Sequence, residues 1–321
     1  MTPCRVPPPS GGVFCEKASS GGATRPSQQD AGLRAQPPSR MVFIHAHSAI
    51  SSPTGSPQSK MPEGDTIHKV AAYLDDALHG QHVATVRVHP AFGPSMGARL
   101  VRRVASEGKH LFIHFDDGTA LRSHLGMYGA WHAYPTGAAW RKPRRQASIV
   151  ISGGGRDFVC FNAKEVQWLR LHGFRRTDLG ARLGADLIHD GVGGEELLRR
   201  IGTFCEPRTP LVDLLLDQRV AAGIGNVYKS EVLFLERRAP LRRVQDLTAD
   251  ALLALYRRAA ALLAENLGGG PRTTRFSADG RGRLWVYGRA NLPCRRCGAA
   301  VRREPLGMQP RSTYWCERCQ V

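Results

Sequence analysis

The chain has 321 residues, enough for two domains and a small third, and carries 45 Lys+Arg against 27 Asp+Glu, a formal charge of +18. No uncharged apolar run approaches the ~18 residues of a membrane span, so no membrane partner is expected, and an acidic or fibrous chain is excluded. With 42% hydrophobic residues this is a basic globular protein, and the usual reason for such an excess is a polyanionic partner.

Residues 1–60 hold nine Pro, six Gly and ten Ser but two acidic residues. Such a composition buries too little apolar surface to offset its ordering entropy, so 1–61 is expected to be a disordered extension outside the mature protein. The apolar run Met41–Ile44 is too short for a secretory signal. The six basic and two acidic residues of this segment leave +14 on positions 61–321, so the charge belongs to the folded part. Arg outnumbers Lys 38 to 7, the mark of GC-rich coding sequence, in which open frames run upstream of true starts. Met61 is therefore expected to be the initiator.

From Pro62 the pattern becomes orderly. Apolar residues at Ile67, Val70, Ala71, Leu74, Ala77 and Leu78 form one helical stripe over Asp65–Gly80, with Asp65 as N-cap and Gly80 as stop. Val83–Val88, His110–Phe115, Thr119–Leu125, Gly129–Tyr134, Ala147–Ser152 and Arg156–Phe161 are short runs rich in β-formers, which predict an antiparallel sandwich. The helical period returns in Glu195–Ile201, Pro210–Asp217, Asn226–Glu236 and Ala249–Leu267. The second and third of these are joined by Arg219–Gly225, longer than the common helix-turn-helix connection.

Four of the eight cysteines stand in the last 28 residues as Cys294-x2-Cys297 and Cys316-x2-Cys319. Each pair is a knuckle, and two knuckles separated by 18 residues close a tetrahedral Cys4 site on a β-hairpin, which predicts one structural Zn2+ and a reducing compartment. Cys4, Cys15, Cys160 and Cys205 read as buried or tail thiols. Arg302, Arg303 and Arg311 on the hairpin can present guanidinium groups to phosphate.

Met61-Pro-Glu-Gly-Asp is the most informative pentapeptide. Removal of Met61 exposes Pro62 as a free secondary amine; an α-amino group titrates near pH 7.7–8.0, roughly. Unprotonated, it can attack an aldehydic sugar carbon and form an iminium, which acidifies the neighbouring proton so that phosphate can be eliminated. Glu63 is placed to move protons. The bland alternative is that Pro-Glu merely opens a helix.

The order Pro62-Glu63, Gly108-Lys109, His124-Leu-Gly-Met-Tyr-Gly129, Gly223-Ile-Gly-Asn-Val-Tyr-Lys-Ser-Glu231 and the closing cysteine hairpin resembles the formamidopyrimidine-DNA glycosylase/endonuclease VIII family over residues 62–321. Met-Pro-Glu-Gly and Trp285-Val-Tyr-Gly-Arg289 look more like the endonuclease VIII branch. The resemblance implies an α+β fold: an N-terminal helix plus antiparallel β-sandwich over 62–190, an all-α helix-two-turn-helix domain over 191–270, and a Cys4 zinc-finger β-hairpin over 271–321. It implies a bifunctional DNA glycosylase and abasic-site lyase acting on damaged double-stranded DNA, oxidised pyrimidines first. Pro62 would be the Schiff-base nucleophile and Glu63 the proton donor, with Lys109, Asn226 and Arg311 on phosphates around the lesion.

An enzyme that flips a nucleotide out of a duplex must fill the void, and Met127 and Tyr128 are the apolar candidates for that wedge. His124 is read as orienting their loop. No small-molecule cofactor is implied, the chain shows no dimer zipper and is read as a monomer, and its place would be the bacterial cytoplasm, on the nucleoid. Many members of the family carry Glu four residues after the proline; here Thr66 stands there, with Asp65 before it. Three other readings stay open at this stage: a non-catalytic zinc-containing protein that binds damaged DNA, a glycosylase specific for 8-oxoguanine and formamidopyrimidine, and a sequence-reading transcription factor.

Overall fold

The computed structural model describes residues 62–170 and 183–321; the extension expected over 1–61, with Cys4 and Cys15, lies outside the described residues. Helix α1 (Gly64–Leu78) forms where the apolar stripe predicts it, and Ile67, Val70, Ala71, Leu74 and Leu78 are all buried. It ends at His79, whose N–H donates to the Asp75 carbonyl, and Gly80 turns away at φ 72°. The expected cap is corrected. Glu63, with extended backbone, occupies the N-cap position without capping its own helix, and Asp65 lies buried in the first turn.

Nine strands follow: β1 (His82–Val83), β2 (Thr85–Val88), β3 (Arg99–Glu107), β4 (His110–Phe115), β5 (Thr119–His124), β6 (Ala130–Pro135), β7 (Ala147–Gly153), β8 (Arg156–Phe161) and β9 (Glu165–Arg170). They form two antiparallel sheets in the orders β1-β3-β4-β5-β9 and β2-β7-β8-β6. The run expected as one strand over Val83–Val88 is two, because the chain passes from the first sheet to the second at Ala84. The two inner faces and α1 share one core, in which Leu74, Ile113, Leu121, Trp131, Ile151 and Phe158 are buried.

Strands β3 and β9 were not visible as alternating patterns, for a local reason in each. The pairing of β3 with β4 shifts register between Val101 and Arg103, so Val101 and Val104 both join the core although they are three residues apart. In β9, Val166 joins the inner core while Leu169 packs with Phe112 and Ala120 in a separate cluster. Apolar residues on both faces erase the period of two.

The remainder comprises β10 (Ala185–Asp186), α2 (Gly194–Phe204), α3 (Leu211–Leu216), β11 (Ala221–Ala222), α4 (Asn226–Leu235), α5 (Ala249–Glu265) and the hairpin β12 (Arg302–Leu306) with β13 (Arg311–Trp315). Leu197, Ile201, Leu214, Leu233, Tyr256 and Leu263 form the helical core, and the Tyr256 hydroxyl donates to the Leu214 carbonyl at 3.1 Å. The short β10 and β11 pair in parallel. A third, smaller core joins Phe234 of α4 to Val286, Val301 and Tyr314 around the hairpin. Among the described residues no helix is long and apolar enough to cross a membrane.

Candidate active site

Helix α4 is buried from Asn226 to Phe234 on every side, so its open N-terminus sits where water cannot satisfy it. The residue at its N-cap position is Gly225, which has no side chain to offer. The cap arrives from the other end of the fold. The Glu63 carboxylate, with no solvent exposure, accepts the N–H of Gly225 at 3.0 Å and of Tyr228 at 3.2 Å on Oε2, and that of Val227 at 2.8 Å on Oε1. A backbone bond from Gly64 N–H to the Gly223 carbonyl, 2.9 Å, runs beside it. Only glycine fits at 225: a Cβ there would stand 2.5 Å from the Glu63 carboxyl carbon. Asn226, whose residue type suits a cap for the helix it opens, therefore has no capping role. Its side-chain oxygen instead accepts from Lys229 Nζ at 3.4 Å.

The turn between β3 and β4 brings Lys109 to the same place. Gly108 donates its N–H to Asp186 Oδ2 at 2.9 Å and holds φ 57°, and a Cβ on it would meet the Ala222 Cβ of β11 at 2.7 Å. Lys109 is thus no freely solvated turn residue. Burial pushes its ammonium down to about 8, against the pull of Glu63 and with the push of Arg311 and Arg272. Lys229, fully buried on α4, donates to Thr313 Oγ1 at 2.8 Å and to the Ser312 carbonyl at 3.5 Å on β13. Burial brings it too down to about 8. Arg311 opens β13 and is exposed. Arg272, from the segment after α5, reaches Glu63 Oε1 at 3.7 Å and pairs with Asp65 through Nε at 2.9 Å. Lys109, Lys229 and Arg272 thus act on the buried Glu63, Arg272 and Lys69 on the buried Asp65, and Arg311 on the two lysines 109 and 229.

Met127 and Tyr128 are not core residues of a hairpin. They are 40% and 70% exposed, at the tip of the β5–β6 loop. The loop is rooted by Gly129 N–H to the Leu125 carbonyl and by Lys164 N–H to the His124 carbonyl. His124 packs on His110 across the β4–β5 pair, ring centroids 4.9 Å apart, and the Lys109 charge acts on it. The wedge candidates and the cation cluster are therefore separate features connected through the β4–β5 ladder.

The four hairpin cysteines converge. Their sulfurs all lie within 4.8 Å of one another, with Cys294 to Cys319 at 3.9 Å and Cys297 to Cys316 at 3.4 Å. Thiolates about 2.3 Å from a shared tetrahedral ion stand about 3.8 Å apart, so the donor set fits a closed four-sulfur metal site.

Residues 61–177 match the family described as Formamidopyrimidine-DNA glycosylase N-terminal domain, and residues 195–278 the Formamidopyrimidine-DNA glycosylase H2TH domain. A protein named probable endonuclease 8 2 from Streptomyces coelicolor is 36% identical over 267 residues, covering 81% of this chain and 94% of that protein. The DNA-(apurinic or apyrimidinic site) lyase Nei2 of Mycolicibacterium smegmatis is 37% identical over 265 residues, covering 81% of this chain and 99% of that protein. The chain belongs to the formamidopyrimidine-DNA glycosylase/endonuclease VIII family. The MutM (Fpg) protein of Thermus thermophilus superposes with a TM-score of 0.65 at 28% identity, over 81% of this chain and 98% of that one. Lactococcus lactis Fpg, solved non-covalently bound to abasic-site DNA, shares the fold, with a TM-score of 0.68 at 20% identity over 81% of this chain and 99% of that one.

To the residues given roles from the sequence, the structure adds Lys229, Glu231 and Arg272, and it gives Asp65 a new partner. Glu231, fully buried, accepts the N–H groups of Trp285 at 2.8 Å, Val286 at 2.9 Å and Tyr287 at 2.7 Å, and the Thr274 hydroxyl. Lys229 and Glu231 stood inside the Gly223–Glu231 motif and were legible there as charged residues in a predicted helix whose later turns are apolar. Arg272 carried no signal, being one arginine in an arginine-rich linker whose partner is 207 residues away.

Two outcomes follow. Glu63→Ala strands three buried N–H groups at about 1–3 kcal/mol each, so denaturant unfolding should show a loss of about 3 kcal/mol or more. Glu63→Gln, which keeps one acceptor oxygen, should lose less, and Gly225→Ala should behave like Glu63→Ala by displacing the carboxylate. For the histidine pair, burial first, then neighbouring charges, hold His110 at about 3 and His124 at about 4, against an ordinary 6.5. The unfolded chain binds these protons first, so stability should fall as pH drops from 6.5 towards 4. Replacing both histidines by Gln should flatten the melting temperature across that window.

Proposed function

We propose that this chain is a base-excision DNA glycosylase and abasic-site lyase that removes oxidised bases, pyrimidines in preference, through a Schiff base on Pro62 as mature N-terminus. The observation that carries it is the gathering of Lys109, Lys229 and Arg311, whose charges act on one another, beside the helix N-terminus that Glu63 caps, one residue from Pro62. A phosphate entering there relieves the mutual repulsion of Lys109, Lys229 and Arg311, Arg272 being already paired with Asp65 and the N-terminus of α4 already capped by Glu63. Such a site positions a DNA backbone against Pro62 rather than reading sequence. The family match begins at residue 61, and relatives are covered over nearly their full length by 81% of this chain, which supports a mature start at Pro62.

In this reading the Pro62 lone pair attacks C1′ of the damaged deoxyribose, and the base leaves with the glycosidic electron pair and takes a proton. Opening of the sugar ring forms the iminium, with the ring oxygen protonated. Loss of the C2′ proton then drives out the 3′ phosphate. Glu63 is the proton carrier next to the nucleophile in the chain. Its Oε2 is taken by two N–H groups and its Oε1 by one, so Oε1 keeps acceptor capacity for a proton in transit. Lys109, Asn226 and Arg311 hold phosphates, and Met127 and Tyr128 fill the stack. Cys294, Cys297, Cys316 and Cys319 hold one Zn2+, whose contribution is structural: it closes the hairpin that carries Arg311 and Thr313. The proposed domains are the catalytic sandwich over 62–190, the helical domain over 191–270 and the zinc hairpin over 271–321.

The test is borohydride trapping on a duplex with a single oxidised pyrimidine. Protein beginning at Pro62 should give a covalent adduct; a form started at Met1 should give far less, because an amide nitrogen has no basic lone pair, and so should Pro62→Gly, which replaces the ring-held secondary amine by a mobile primary one. No adduct from the Pro62 form would sink the lyase reading and favour a binding protein. Binding should also weaken steeply with salt, and Lys109→Ala and Arg311→Ala should each reduce the slope of log K on log salt by about 1. Chelation should release one zinc per chain and reduce the slope by at least as much as Arg311→Ala.

A further inference from the structure

Glu63 and Asp65 are buried two residues apart at the start of α1, and they are served differently. Glu63 takes its hydrogen bonds from backbone. Asp65 receives side chains: Arg272 Nε at 2.9 Å on Oδ2, Arg272 Nη2 on Oδ1, and the Thr66 hydroxyl at 3.4 Å. Two carboxylates so close and so dry repel each other unless a cation is shared between them.

Arg272 has the geometry for that. Nη2 also donates to Thr66 Oγ1 at 2.9 Å, Nη1 stands 3.7 Å from Glu63 Oε1, and the guanidinium lies over the Tyr228 ring at 4.9 Å. All three guanidinium nitrogens thus face residues 63–66, from a side chain only 14% exposed. The segment bearing Arg272 is itself held. Asn266, which closes α5, exchanges two 2.7 Å bonds with Thr273, the Thr274 hydroxyl donates to Glu231, and Lys69 Nζ of α1 donates to the Gly270 carbonyl at 3.3 Å. This is a strap with one side chain aimed at the chain's proposed catalytic end. Thr66 suits it: the hydroxyl accepts from Arg272 without adding a third negative charge.

The geometry points to Arg272 as a positioning residue of the reaction, acting through Asp65 to hold the Pro62–Thr66 segment and to neutralise the carboxylate pair beside the nucleophile. This rests on the reading of Pro62 as that nucleophile. A simple structural tie would stabilise the fold and leave the chemistry's pH dependence alone; a shared cation does not. The groups whose charges act on this set are Glu63, Asp65 and Lys69 at α1, Lys109 of the β3–β4 turn, Tyr228 and Lys229 of α4, Tyr287, and Arg311 acting on Lys109. The Arg272 charge pushes Lys69, Lys109, Tyr228 and Tyr287 towards losing their protons. Its removal takes that push away, so both limbs of a pH–rate profile move to higher pH.

The experiment measures single-turnover borohydride trapping against pH, on a duplex with a preformed abasic site, using zinc-loaded protein beginning at Pro62. Affinity is read separately on a duplex carrying a non-reactive tetrahydrofuran abasic analogue, and folding by thermal melt. Arg272→Gln should slow trapping by about tenfold or more with both limbs moved up, while analogue affinity changes by less than about threefold. Arg272→Lys, which restores charge but not the fork, should return the limbs and recover only part of the rate. Asp65→Asn should reproduce the rate loss, and the double variant should lose no more than the worse single one. If the parent forms adduct and Arg272→Gln traps at the parent rate with an unmoved profile, the assignment is wrong while Pro62 stands. Parallel losses of affinity and rate with an unmoved profile make Arg272 a binding or structural residue and also overturn it. Should Arg272→Gln fail to fold, Arg272→Lys and Asp65→Asn decide by the same readouts. A parent without adduct overturns both readings.

Discussion

One carboxylate satisfies the buried N-terminus of a helix more than 160 residues further along the chain, and the site is assembled around that bond set. Neither partner is stable alone. A helix start sealed inside the protein leaves N–H groups whose desolvation costs about 1–3 kcal/mol each, and a dry carboxylate without donors costs more. Together they are a charge-assisted cap at the positive end of a helix dipole. Because Glu63 is locked to α4, Pro62 has a defined position against the helical half of the protein. The first residue of the β-sandwich chain is thereby registered on an element that the sequence places far away.

Helix α4 then distributes that registration. Its polar residues are not a solvated face; each is buried and consumed by a different neighbour. Ser230 donates to the Asn226 carbonyl and accepts the Tyr314 N–H, Lys229 reaches Thr313, and Glu231 gathers three successive N–H groups of residues 285–287. The cysteine hairpin is thus tied to the same helix that Glu63 caps. Electrostatics follow from the packing. Burial lowers the proton affinity of lysines 109 and 229 against the pull of the Glu63 carboxylate.

The fold was legible wherever one local signal sufficed. The stripe of α1, five strands within one residue of their observed bounds, the four later helices and the cysteine knuckles each follow from a short window of sequence. Strand β3 was hidden because a bulge puts Val101 and Val104 on one face, and β9 because both of its faces are covered. Asp65 and Asn226 looked like caps because their residue types suit the position. Local preference lost in both cases to a carboxylate and a guanidinium delivered from distant segments.

The sequence alone determined the chemistry on offer: the basic excess, the Pro62-Glu63 pair, the four thiols at metal-ligand spacing and the glycine-rich turn before α4, each legible without the fold. What only the tertiary structure decided is which charges meet. Arg272 among many arginines, Lys229 inside a buried helix and the trans cap from Glu63 depend on contacts across 83 to 207 residues. No periodicity encodes such a contact, because it exists only after the sandwich, the helices and the hairpin have closed on one another.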